Sequence, residues 1–93
     1  MIPDDVYVQK AAAGDKEAFE VLVKRHRPMV YEVAYRMLGN PRDAEGATHA
    51  TFSDTRQHIK AFQGQTAFGT WLYRIAINRC LQYRHTKVEL NVS

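Results

Sequence analysis

The sequence predicts an all-α domain, a compact bundle of four helices with no strands. Apolar residues recur at steps of three and four along most of the chain, the spacing of a helix face, and strict apolar–polar alternation persists nowhere. Glycine stops followed by capping residues, at Gly14-Asp15 and at Gly39-Asn40-Pro41, divide that pattern into segments, and a loop around Gly64 makes the last division.

The first helix is expected from about Asp4 to Ala13, ended by Gly14. Asp15 is a good N-cap for the second, with Glu17 favourable in its first turn. The apolar stripe of this helix is Phe19, Leu22, Val23, Val30, Val33, Ala34 and Met37. Pro28 falls inside the stripe and removes one backbone hydrogen bond, so a kink or short break is expected there. Gly39 is the natural stop. Asn40 then caps the third helix, with Pro41 at its first position. Its buried stripe should be Ala44, Thr48, Phe52, Thr55 and Ile59. A loop over 62–65 precedes the fourth helix, which should begin near Thr66 to Phe68 and run to about Tyr83. Its core face is expected to be Phe68, Leu72, Ile75 and Ala76. Residues 88–93 read as a frayed end or the start of a linker, which leaves 1–87 as one domain.

The 93 residues suffice for one modest core. Apolar runs are only a few residues long, too short for a membrane span. The opening MIPDDVYVQK is acidic and lacks the apolar stretch of a secretory signal. The lone Cys80 cannot form an internal disulfide, which fits a reducing cytosol. Charge is unevenly placed. Residues 1 to 54 hold 7 Lys and Arg against 9 Asp and Glu; residues 55 to 93 hold 6 against Glu89 alone. That polarity suggests two surfaces with different partners, the C-terminal one anionic, although a merely solvated basic helix has the same composition.

Chemistry is hard to find. His26, His49, His58 and His85 show no metal-type spacing with one another or with Cys80, and no hydrolase, phosphate-loop or zinc motif occurs. No cofactor, metal or catalytic residue is expected. The stretch Ala61 to Lys87 offers more. It joins a glycine-containing loop to an aromatic-rich helix carrying Arg74, Arg79, Arg84 and Lys87, with no acid among them. Cations beside planar side chains suit single-stranded nucleic acid. Arg74, Asn78, Leu81 and His85 form one stripe facing away from the core. An asparagine there can read a base edge, or be an ordinary exposed helical residue. Trp71 and Tyr73 are candidate stacking platforms, with Trp71 expected at least half in the core beside Leu72. The loop Phe62-Gln63-Gly64-Gln65-Thr66 can hold an extruded base, and by itself is also an ordinary connection between helices.

Together these residues resemble the second conserved region of bacterial sigma factors of the extracytoplasmic-function (ECF) group. GDKEAFEVLVKRHRPMVYEVAYRMLGN, over 14 to 40, matches the first part of the family pattern. The segment from Phe62 to Asn78, with its TWLYRIAIN block, matches the third almost without gaps. The resemblance implies a cytoplasmic promoter-melting domain that does no chemistry of its own. Its partners would be the clamp helices of core RNA polymerase, single-stranded promoter DNA of the minus-ten element and an anti-sigma factor. Carried over by position, Phe62 to Thr66 would capture a flipped non-template base and Asn78 would contact bases at the upstream edge of the element. Arg74, Arg79 and Arg84 would hold phosphates. The polymerase-binding face would comprise Asp43, Glu45, Gly46, His49, Ala50 and Ser53.

That face departs from the family pattern. An acid, a Gln and a further acid normally occupy the stripe where Gly46, His49, Ala50 and Ser53 stand here, and Gly46 costs about 1 kcal/mol of helix propensity relative to Ala. A divergent sigma factor with its own polymerase contacts, a sigma-like protein with weakened core binding, or a sequence altered at this surface would each explain it. The second of these makes the chain an interaction module or decoy that binds an anti-sigma factor without driving transcription. Family members usually carry a further helix-turn-helix domain, so the chain reads as the N-terminal domain of a longer protein, with a single-domain relative as the alternative.

Overall fold

The computed structural model describes the backbone of residues 1–92 and the side chains through Thr86. Helices α1 (Asp4–Ala12), α2 (Lys16–Leu38), α3 (Pro41–His58) and α4 (Phe68–Val92) form the bundle, with a 3-10 turn (Ile59–Ala61) extending α3. Among the described residues there is no strand, and no helix is long and apolar enough to cross a membrane.

The expected punctuation is in place. Asp15 accepts from the Ala18 amide at 3.1 Å, and Asn40 accepts from the Asp43 amide at 2.9 Å. Gly39 takes the left-handed conformation (φ 82°), which costs glycine little, and its amide donates to the Tyr35 carbonyl at 2.8 Å. Two boundaries differ from expectation. First, α2 runs unbroken through Pro28. Both Pro28 and Lys24, whose carbonyl loses its partner, lie on the exposed side, where water replaces the missing bond. Second, α4 continues past Tyr83 to Val92, so the backbone of 88–92 is helical rather than frayed. Residue 93 and the Lys87 side chain lie outside the described residues.

The core has two ends of different character. Around the lower half of α2, Phe19, Leu22, Val30, Phe52, Ile59, Phe68 and Leu72 pack with Val8 of α1 as a bulky cluster. At the other end Ala34, Ala44, Ala47 and Cys80 form a small-residue seam. The expected buried stripe of α3 is buried in full, and Ala47 and Thr51 join it. Three threonines in it need no outside partner: Thr48, Thr51 and Thr55 donate to the carbonyls four residues back at 2.7, 2.7 and 2.8 Å. Their hydroxyls are thus satisfied, while each short side chain lets a neighbouring helix come close. On α4, Ile75 is only half-buried, and Cys80 is fully buried in its place. Burial raises the Cys80 thiol above its ordinary value of 9.0, because the thiolate would lose its hydration.

Contacts between helices complete the bundle. Asp4 of α1 binds two residues of α2, with Arg25 donating at 3.1 Å and His26 Nε2 at 2.7 Å from the carboxylate. Arg25 also lies over the Tyr7 ring, 4.8 Å from its centroid. At the far end Tyr83 of α4 lies across Gly46 of α3. A Cβ added at Gly46 would collide with the Tyr83 hydroxyl. Glycine at 46 therefore gives up helix propensity and receives a tyrosine ring.

This exchange predicts a non-additive cycle. Gly46→Ala should be neutral or destabilising in the natural chain, because the Tyr83 ring must shift. In a Tyr83→Ala background the same change should stabilise by roughly 0.5–1 kcal/mol, the propensity gain alone. Urea denaturation of the four proteins measures the coupling. The thiol makes a second prediction. A raised folded value means that Cys80 contributes stability fully below its ordinary value and loses it as pH rises further. The urea midpoint should therefore fall more steeply above about pH 9 in the natural chain than in Cys80→Ala.

Candidate nucleic-acid interface

The interface is built outward from Phe68, the first residue of α4. Phe68 is only 2% exposed. Its ring meets the edge of His26 at a centroid distance of 5.3 Å, Phe62 at 6.0 Å and Trp71 at 5.9 Å. Phe62 and Trp71 in turn lie against each other at 4.8 Å with an interplanar angle of 34°. Aromatic pairs at these separations add roughly 0.5–1.5 kcal/mol each beyond their buried area. The loop between the 3-10 turn and α4 is thus tied at both ends to one aromatic cluster. Between those ends Gly64 turns through a left-handed conformation (φ 72°), and Gln63, Gly64 and Gln65 are exposed.

The result is a shallow hollow lined by Phe62, Gln63, Gln65, Thr66, Trp71 and Arg74. It pairs two half-buried aromatic rings with two amides, a hydroxyl and one guanidinium. Such a hollow can take a flat group against the rings and address its polar edge. Trp71 is half-buried, as its place beside Leu72 suggested. On the next turns Arg74, Asn78 and His85 are exposed, and Leu81 with them at 49%. The stripe read from the sequence is therefore a continuous surface leading away from the hollow.

Other expected contacts fall elsewhere. At about 100° per residue, Tyr73 and Arg84 stand on a different flank of α4 from Trp71, Arg74 and Asn78. Both are exposed, and neither is brought to the loop. Arg79 is half-buried and directed to α3. Its Nε lies 3.1 Å from Asp54, a second nitrogen donates to the same carboxylate at 3.2 Å, and a third donates to Gln82 at 3.0 Å. The signal for this was available: Arg79 follows Leu72 by seven residues, on the edge of the core stripe rather than beside Asn78.

The second expected surface, on α3, is divided as well. Asp43 accepts from the Asn40 side-chain amide at 2.8 Å within the helix cap, and Glu45 pairs with Arg27 of α2. Gly46 lies under Tyr83, and Ala50 is half-buried. His49 and Ser53 are exposed and line a groove against α2 with Val23, Arg27, Phe52 and Arg56. The Arg56 guanidinium lies over the Phe19 ring at 4.9 Å. Nothing local in the sequence marks Arg27 or Tyr83 as part of this face, because each arrives from another helix; Arg56, three residues after Ser53 and seven after His49, shares their side of α3 by spacing alone.

Comparison with known proteins gives concordant results. Residues 22–88 match the model of the Sigma-70 region 2 family. The ECF RNA polymerase sigma factor SigW of Bacillus subtilis is 37% identical over 71 residues, covering 76% of this chain and 38% of SigW. The ECF RNA polymerase sigma-E factor of Haemophilus influenzae is 34% identical over 82 residues, covering 88% and 43%. The chain thus spans about two fifths of the length of these relatives. Among solved structures, an engineered region 2 of sigmaE in complex with GTAAAA superposes with a TM-score of 0.87 at 29% identity, covering 92% of this chain and 90% of that one. CnrH, in complex with the cytosolic domain of CnrY, superposes with a TM-score of 0.74 at 29% identity, covering 95% and 60%.

The Arg79–Asp54 pair is about a third exposed, so its contribution should be small. A double-mutant cycle on Arg79→Ala and Asp54→Ala should give a coupling of roughly 0.2–1 kcal/mol by chemical denaturation. Addition of 1 M salt should reduce that coupling.

Proposed function

This chain belongs to the Sigma-70 region 2 family, and we propose that it recognises and melts the minus-ten element of promoters on behalf of RNA polymerase. The observation that carries this is the hollow beside Trp71, continuous with the exposed Arg74–Asn78 stripe. Melting needs a place for a base that has left the stack, and extruding one costs a few kcal/mol. Two aromatic faces, loop amides and a guanidinium offset that cost on one strand. Asn78, one turn further on, has the donors and acceptor to contact a neighbouring base. The domain does no covalent chemistry; it exchanges base stacking for protein contacts.

Phosphate contacts are assigned differently from the sequence pattern alone. Arg79 is engaged by Asp54, and Arg84 lies on another flank, so neither is poised to follow the strand held at the loop. Polymerase docking is assigned to α3 and the adjoining groove of α2, with His49 and Ser53 as its exposed members. Gly46 and Tyr83 make one structural unit there, so glycine at 46 is no sign of a decayed surface. This favours a working sigma domain with its own docking chemistry over a decoy. An anti-sigma factor is a further partner, as the family resemblance implies, and the cytoplasm is the compartment; the similar CnrH is itself seen in complex with the cytosolic domain of CnrY.

Fluorescence anisotropy with six-nucleotide single strands tests the DNA reading. GTAAAA, the sequence bound by the similar sigmaE domain, is the starting probe, and each position is then varied. Asn78→Ala should lose discrimination among the variants by about 1–3 kcal/mol at one position. Arg84→Ala should leave discrimination intact and weaken all strands less than twofold. Equal loss on every strand for Asn78→Ala would sink its role as a reader. Docking is tested by capture on isolated polymerase clamp helices. The natural chain should bind, and His49→Gln with Ala50→Glu should tighten it while Gly46 is left in place for Tyr83.

A further inference from the structure

We propose that Arg74 is the residue that selects the captured base, and that the hollow prefers guanine or cytosine to adenine and thymine. The inference rests on the base-capture reading above and gives it a specificity. By position in the sequence Arg74 would be one of several phosphate contacts. The structure instead sets it on the wall of the hollow, one turn after Trp71.

Three observations bear on what it meets there. Arg74 is exposed and, among the described residues, has no ion pair or side-chain hydrogen bond, unlike Arg25, Arg27, Arg36 and Arg79. It is the only formal charge on the lining. The other polar groups are the Gln63 and Gln65 amides and the Thr66 hydroxyl, each able both to donate and to accept. These adapt to any base edge. A guanidinium does not: it only donates, through a planar fork.

A base lying flat against Phe62 or Trp71 presents its edge to that fork. Guanine offers two neighbouring acceptors, O6 and N7, the commonest specific partner of arginine. Cytosine freed from its pair offers O2 and N3. Adenine puts its amino group beside N1 on one edge and beside N7 on another, so a donor faces a donor on both, and its N3 stands alone. Thymine flanks each carbonyl with an N–H. Only guanine and cytosine satisfy both arms.

Trp71 is the single tryptophan of the chain, so its fluorescence reports occupancy of the hollow directly. The test titrates the 93-residue protein with four thymidine hexamers, each carrying G, C, A or T at one central position. The midpoint, rather than the depth of quenching, is read. The guanine or the cytosine strand should bind about tenfold more tightly than the adenine strand, and the comparison of those two identifies the edge that is read. Arg74→Lys keeps the charge and removes the fork. It should hold the adenine strand within about twofold of the natural protein and lose the preference for G or C. Equal binding of all four strands, or a preference that survives Arg74→Lys, overturns the inference while leaving base capture standing. So does an equal loss on all four strands, which would make Arg74 a phosphate contact. If no strand perturbs Trp71, base capture itself fails and the inference falls with it.

Discussion

The burial of one ring, Phe68, holds the working end of this domain together. It is the first residue of α4 and almost wholly out of water. Fully burying a phenylalanine contributes on the order of 1.5–3 kcal/mol. In a small domain that is a large share of net stability. The same burial fixes three things at once. It places the start of α4 against His26 of α2, it gives Phe62 an edge to pack on, and it sets Trp71 one turn along. Without that anchor the loop over 62–66 would have two free ends. With it the loop is a short span between fixed aromatic posts, and Gly64 supplies the one left-handed residue that closes it. His26 is itself held by Asp4, which extends the support back to α1.

The opposite end of the bundle solves a different problem. Bulky residues there would push α3 and α4 apart. Alanines, threonines and Cys80 let them approach, and the threonine hydroxyls are satisfied within their own helix. Close approach is what allows Tyr83 to reach across to Gly46 and Arg79 to reach Asp54. Two residues with the composition of a nucleic-acid surface, an arginine and a tyrosine, are thereby turned inward to join helices.

What was legible in the sequence was whatever depends on near neighbours. The caps at Asp15 and Asn40, the stop at Gly39 and the stripes of α2 and α3 all follow from spacing and local hydrogen bonding. Pro28 shows what that reasoning must include. Its cost depends on which side of the helix faces water, and at about 100° per residue Pro28 and Lys24 stand roughly opposite the apolar stripe, a placement that the expectation of a kink did not use. Arg79, expected at a phosphate, is paired with Asp54 in the structure, and spacing bears on it as well. Counted with its neighbour Asn78 it looks like a surface cation; counted in sevens from Leu72 it belongs to the edge of the core. Of the candidate site, the loop, Trp71, Arg74 and Asn78 were singled out because they cluster in 62–78. The Arg27–Glu45 and Asp4–Arg25–His26 contacts were not, because partners about twenty residues apart carry no local mark.

These two ends give the uneven charge of the chain a physical meaning. Residues 55 to 93 have an excess of five positive charges, yet that sum overstates what a strand beside the loop would feel. Arg79 is neutralised by Asp54, Arg84 is turned to another flank, and Arg56 and Lys60 line hollows elsewhere, which leaves Arg74 as the cation on the lining of this one among the described residues. A surface with few free cations binds any single strand weakly, because affinity without sequence preference grows with the number of phosphates neutralised. What remains is a stacking surface with one directional donor group. Such a surface gains little from DNA that is still paired and more from a base already extruded. For a domain proposed to open promoters this is a useful bias: weak attraction to duplex in general and a specific grip on one strand once a base has left the stack.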